Sequence, residues 1–177
     1  MTSEMGYTTD FYGQFELDAP LTKEQGNYLT QFCQTRRMQR DVAAMAEMPD
    51  PIREAVGLPL GPEGAYFVGG GGVMGQEQDA SVVDYNHPPQ GQPGSWCQWV
   101  PTNDLTGIEW DGGEKFYEYV EWLTYLIENF LKPWGRVLSG EVEWEGEDRY
   151  DRGKIVVKDN VVTSKEAHVV YDDEDED

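Results

Sequence analysis

A chain of 177 residues suits one domain with a sizeable core, and an aromatic content of 12%, including six Trp and ten Tyr, excludes a disordered polymer. Thirty-four Asp and Glu against thirteen Lys and Arg leave a net charge of −21, which excludes a broad surface for a phosphate backbone or an anionic membrane. Direct nucleic-acid binding is therefore not expected. Two cysteines, Cys33 and Cys97, are too few for a disulfide framework or a Cys-only zinc site, so free thiols in a reducing compartment are expected. Met1 to Tyr7 shows no basic region followed by an apolar run, and no segment approaches the length of a membrane span. A soluble cytoplasmic protein with no membrane partner is the expectation.

In chain order, residues 7–17 alternate, with Phe11, Gly13, Phe15 and Leu17 on one face, which predicts a half-buried strand. Asp18-Ala19-Pro20 breaks it. Thr22 with Gln25 forms a capping-box pattern ahead of a helix over about 22–33, its apolar side supplied by Tyr28, Leu29 and Phe32. Residues 42–48 can be helical, after which Pro49, Pro51, Pro59 and Pro62 impose a punctuated path. Ala65-Tyr66-Phe67-Val68 reads as a short strand running into Gly69–Gly72, and Ser81–Tyr85 as another extended piece. Residues 86–95 are a loop by composition. Trp96–Val100 and Gly107–Trp110 read as paired strands. Asp111 and Glu114 look like a second capping box, opening a long helix that carries Phe116, Tyr119, Val120, Leu123, Leu126, Ile127, Phe130 and Leu131 on one face. Pro133 and Gly135 stop that helix. Arg136–Glu145 alternates again, with Leu138, Val142 and Trp144 together. Lys154–Lys158 and Val161–Val162 flank Asp159-Asn160, a two-residue hairpin turn. The pattern predicts an α+β fold: a mainly antiparallel twisted sheet, two principal helices packed on one face, and an irregular Gly/Pro-rich middle. One domain is expected over 1–171, with Asp172–Asp177, all acidic, as a disordered tail.

The chemistry-bearing candidates are few. Thr35-Arg36-Arg37-Met38-Gln39-Arg40 places three of the thirteen basic residues within five positions. Arg36, Arg37 and Arg40 suit bidentate recognition of phosphate or carboxylate; the competing reading pairs them with internal acids to lock the loop. Gly70-Gly71-Gly72-Val73-Met74-Gly75 matches G-x-G-x-x-G, but no helical pattern opens there and no Lys-Ser/Thr pair follows. That excludes a P-loop and leaves a tight turn or a close backbone approach by Gly70, Gly71 and Gly72 to some other ligand. Most of the tryptophans are core material; Trp99 and Trp110 are the candidates to stack on a planar ligand. His87 and His168 support no Cys–His pair, and Glu145, Glu147, Asp148 and Asp151 lack the EF-hand spacing. No catalytic residue, metal ligand or cofactor is therefore assigned.

The strings Thr35–Asp41, Gly69–Gly72, Trp96–Pro101 and Gly107–Tyr117 resemble a family of uncharacterised small proteins from bacteria and their phages, over about residues 7–162. The resemblance carries no assigned activity; it implies a small cytoplasmic protein used in phage–host conflict.

The expectation is thus a non-enzymatic protein that holds a small anionic, nucleotide-like ligand through Arg36, Arg37, Arg40, Gly70–Gly72 and Trp99 or Trp110. With the phage resemblance, sequestration of a host signalling nucleotide is the natural role. An acidic inhibitor that binds a basic protein surface, or mimics nucleic acid, is the alternative. A metal-dependent hydrolase built from Asp and Glu is the third. Self-association is compatible with any of these.

Overall fold

In a computed structural model of the protein, residues 6–69 and 79–171 are described; the acidic tail lies outside them. The N-terminal alternation forms two short strands, β1 (Thr9–Tyr12) and β2 (Phe15–Leu17), both paired with the long strand β7 (Leu138–Gly146). Their registers are continuous, from Thr9 opposite Gly146 to Leu17 opposite Leu138, so β1 and β2 are one strand interrupted at Gly13-Gln14. Gly13 has φ +102° there, a conformation that L side chains rarely adopt. Period-two alternation sends Phe11 and Phe15 into the core and leaves Asp10 and Tyr12 exposed.

Four more strands complete a sheet of seven among the described residues: β5 (Trp99–Pro101), β6 (Gly107–Trp110), β8 (Arg152–Lys158) and β9 (Val161–Glu166). The order is β5-β6-β2-β7-β8-β9, with β1 beside β7, and every pairing is antiparallel. Asp159 and Asn160 form the predicted turn with φ values of 51° and 71°, the left-handed pair of a type I′ hairpin. The Asn160 side chain accepts from Leu138 N at 2.7 Å and donates to Arg136 O at 3.1 Å, pinning that turn to the start of β7.

Helix α1 (Lys23–Cys33) begins with the predicted capping box: Thr22 Oγ1 accepts from Gln25 N at 3.1 Å, and Gln25 Oε1 accepts from Thr22 N at 2.9 Å. Two short helices follow, α2 (Val42–Met45), capped by Asp41, and α3 (Pro51–Ala55). The expected helix over 42–48 therefore closes early. The long helix also starts later than expected. Asp111 and Glu114 are not its cap; α4 spans Tyr119–Leu126, behind Glu118 in the left-handed region (φ 58°) and with no side-chain cap bond. Asp111 instead accepts from Gly113 N at 2.7 Å, and Lys115, like Glu118, has positive φ, so residues 111–118 turn repeatedly rather than wind. Beyond Leu126 the helix widens to π geometry over Ile127–Leu131, with Lys132 N donating to Ile127 O at 2.9 Å. Pro133 follows as predicted. Ala65–Val68 is not a strand: a 3-10 turn covers Pro62–Gly64, and Tyr66 N and Phe67 N are taken by Leu60 O and Gly64 O, which curls the segment. Residues 82–84 do extend, as β4 (Val82–Asp84), paired with β3 (Gln39–Arg40).

The core joins Tyr28, Leu29 and Phe32 of α1 and Trp122, Leu126 and Phe130 of the long helix to Phe15, Val142, Ile155 and Val157 of the sheet. Each such side chain contributes about 1.5–3 kcal/mol by leaving water. The fold is α+β with a mainly antiparallel sheet, as the sequence predicts.

Candidate functional site

The arginine segment leaves α1 and runs through the interior, not over the surface. Arg37 is 2% exposed. Its Nη2 donates to Ala65 O at 2.8 Å, its Nε to Gln92 Oε1 at 3.3 Å, and its guanidinium lies 4.2 Å over the Phe32 ring. No carboxylate pairs with it among the described residues. Burial pushes its pKa down to about 10, which still leaves it charged at neutral pH. Arg40, 3% exposed, donates through Nη1 to Ser81 Oγ at 2.7 Å and to Asp79 Oδ2 at 3.2 Å, over the ring of Phe67. Burial raises the Asp79 pKa, but the bonds from Ser81 and the charge of Arg40 outweigh it and hold the carboxyl below its ordinary value. Arg36 is half-buried; it lies 4.1 Å over Tyr85 and donates to that residue's carbonyl at 3.2 Å.

Each arginine thus grips a different strip of the irregular middle, and the backbone helps: Arg37 N, Gln39 N and Asp41 N donate to Ser95 O, His87 O and Ser81 O. Gly70, Gly71 and Gly72 lie outside the described residues. The chain before them is held where Val68 N donates to Asp50 and Val68 O accepts from Gln31 and Thr35; the chain after them is held by Asp79 on Arg40. Gln92 is the residue that the sequence reading misses here. It is buried in a Pro/Gly-rich loop, accepts from Arg37 and donates to Ala65 O and the Tyr125 hydroxyl. Nothing in its neighbourhood marks it as internal.

Trp99 and Trp110 stand opposite each other on β5 and β6. Trp99 is 1% exposed, donates to Tyr119 O at 2.8 Å and is enclosed by Phe11, Phe15 and Phe116. Trp110 is half-buried, against Phe11 and with its Nε1 on Gln98. No hydrogen bond or ring contact among the described residues joins these indoles to the arginines, and none of the hollows described below is lined by either set.

The concave surfaces among the described residues lie elsewhere, and two of them gather charge. On the sheet face turned away from the helices, a hollow of about 450 Å³ is bordered by Tyr12, Glu143, Glu145, Arg152, Lys154 and Lys165, with Glu145–Arg152 and Glu141–Lys154 ion pairs across the strands. Between the start of α4 and β9, hollows of about 440 and 380 Å³ adjoin, sharing Tyr119 and Ser164. Glu118, Glu121, Asp148, Asp151 and Glu166 border them, and Arg152 is the one cation among the lining residues. Asp151 is oriented by the Tyr7 hydroxyl at 2.6 Å and by Trp144 Nε1 at 3.2 Å. Burial, then the charge of Asp151, pushes the Tyr119 phenol up to about 12.

The thiols are poor nucleophiles. Cys33 and Cys97 are buried, and burial raises both, Cys97 to about 12, so each stays protonated. His87 pairs with Asp84 at 2.8 Å in the open. Among the described residues no group of three or more His, Cys, Asp or Glu is placed to hold a metal ion, and no helix is long and apolar enough to cross a membrane. No protein family, curated protein or solved structure matches the chain.

Proposed function

We propose that the protein is a non-enzymatic interaction protein whose acidic surface receives a basic partner. The observation that carries this reading is the withdrawal of the arginine cluster: Arg37 and Arg40 are 2% and 3% exposed, so cations that would offset the surface carboxylates serve the interior instead. The adjoining hollows between α4 and β9 are lined chiefly by carboxylates and aromatic rings. Such a surface attracts basic partners over a Debye length and loses that attraction in salt. Calorimetry of the full chain with a 20-residue polylysine tests it. Binding is expected to weaken about tenfold or more between about 50 and 300 mM salt, and polyglutamate is expected not to bind. Absence of polylysine binding at low salt overturns the proposal.

One observation favours a second reading. Among the described residues, Arg37 Nη1 and Arg40 Nη2 are buried with no hydrogen-bond partner, and guanidinium donors call for an acceptor. A small anionic, nucleotide-like ligand would supply it, in keeping with a phage protein that sequesters a host signalling nucleotide. Thermal shift with a nucleotide panel that includes cyclic and ADP-ribose types separates the readings: a raised Tm with one member, lost in Arg37→Met, supports the ligand, and a flat panel removes it.

A further inference from the structure

Strand β9 closes one side of the sheet, and its outer edge pairs with no strand among the described residues. The hairpin decides which backbone groups that edge presents. Lys158 and Val161 close a two-residue type I′ turn, which makes them a hydrogen-bonded pair. Alternation along the ladder then turns Thr163 and Lys165 toward β8, and the next member of the series, Ala167 N, donates to Arg152 O at 2.9 Å. Val162, Ser164 and Glu166 therefore direct their N–H and C=O groups outward. The strand keeps its register from Val161 to Glu166 without proline or bulge; Lys165 is its one basic residue.

The side chains of those same three residues lie on the helix side, since their β8 partners there include core Val157 and Ile155. On that side are the two hollows of Tyr119 and Ser164, bordered by five carboxylates and one arginine. Outward backbone groups and an acidic, aromatic channel thus run along one edge. We propose that this edge takes an extended basic segment of a partner protein as an added strand. Its backbone pairs with Val162, Ser164 and Glu166, and alternate Lys or Arg side chains enter the channel over Tyr119 toward Asp151, Glu166, Glu118 and Glu121. A second copy of this chain is a poor occupant, because it brings another net charge of −21 to an edge already acidic. This inference rests on the acidic-surface reading and names its site.

The test uses the full chain and a fluorescein-labelled alternating lysine–valine hexapeptide, with the same peptide N-methylated at alternate residues. N-methylation keeps the charge and removes backbone donors. The unmodified hexapeptide is expected to bind about tenfold or more tightly than the methylated one, and to slow hydrogen exchange at Val162, Ser164 and Glu166. Ser164→Pro, which removes an outward N–H while sparing the bonds to β8, is expected to weaken binding by a similar factor; the peptide comparison and the exchange map need no variant. Equal binding of the two peptides, or protection elsewhere, overturns the strand-addition site while polylysine binding leaves the acidic-surface reading standing. Failure of both hexapeptide and polylysine overturns both. A dimer with these amides protected in the absence of peptide overturns the choice of occupant.

Discussion

The sheet with its two long helices and the stretch from Arg36 to Ser95 are held by different forces. In the first, interdigitated Phe, Trp, Leu and Val side chains fill the space and regular ladders satisfy the backbone. In the second, strands of two and three residues and single helical turns offer little repetitive bonding, and the burden passes to side chains: Arg37 on Ala65 and Gln92, Arg40 on Asp79 and Ser81, Asp50 on Arg53 and Val68. Apolar packing tolerates loss in proportion to volume. A polar tether fails more abruptly, because removing one partner leaves the other buried and unsatisfied.

The largest expected effect lies in the first region. Phe130 is fully buried and contacts Tyr28, Phe32, Tyr66 and Tyr125, so it joins α1, the long helix and the centre of that irregular stretch. Phe130→Ala is expected to cost about 3–5 kcal/mol in denaturant unfolding, with near-UV and far-UV signals lost together. Separate transitions would show that the middle folds apart from the sheet. Arg40→Met comes next. It keeps much of the volume over Phe67 and removes the cation from Asp79, but that carboxylate keeps its bonds from Ser81, is 27% exposed and regains some water. The expected cost is therefore about 1–3 kcal/mol, with faster hydrogen exchange at Asp41 and Val82 and unchanged exchange along β7 and β8. Equal acceleration in β7 and β8 would merge the two regions into one cooperative unit.

That contrast also explains what the sequence reveals. Phe11, Phe15, Leu138, Val142 and Trp144 announce their strands because burial on one face imposes a period of two, and Thr22 with Gln25 announces α1 because the capping bonds are local. The Asp159-Asn160 turn is legible for the same reason. The start of α4 is not: Asp111 and Glu114 have the right spacing, but left-handed Lys115 and Glu118 divert the chain, and no local pattern signals that. The middle is least legible. The arginine cluster stands out in the sequence, yet its partners Tyr85, Ala65, Gln92, Asp79 and Ser81 lie far along the chain, and a guanidinium has the same composition whether it faces solvent or a phenylalanine ring. The groove at β9 has no sequence signal at all, because Tyr119, Asp151 and Ser164 meet only through the topology of the sheet.

Smaller effects test how far local capping carries the first region. Thr22→Ala removes the acceptor of Gln25 N and is expected to lower stability by about 1 kcal/mol, with Thr22→Ser recovering most of it. A loss confined to Gln25→Ala would place the weight on the reciprocal bond instead.

The smallest effect concerns the β5–β6 turn. Asp104 Oδ1 accepts from the Thr106 hydroxyl at 2.7 Å, the Thr102 hydroxyl at 2.7 Å and Thr106 N at 3.1 Å. These bonds, from Thr106 first and then Thr102, favour the ionised form and pull the carboxyl from 3.8 down to about 2. A depressed carboxylate stabilises the fold above its unfolded pKa and gives that stability up as pH falls through its folded pKa. The contribution of Asp104 should therefore be complete above about pH 4 and fade toward pH 2. Asp104→Asn retains one oxygen acceptor but does not titrate. The Tm of the unmodified protein is expected to exceed that of Asp104→Asn at neutral pH, and the gap to close as pH is lowered through that window. Because every other carboxylate titrates in both proteins, the difference isolates this turn. A gap that stays constant down to pH 2 would mean that the turn is held by shape rather than by charge.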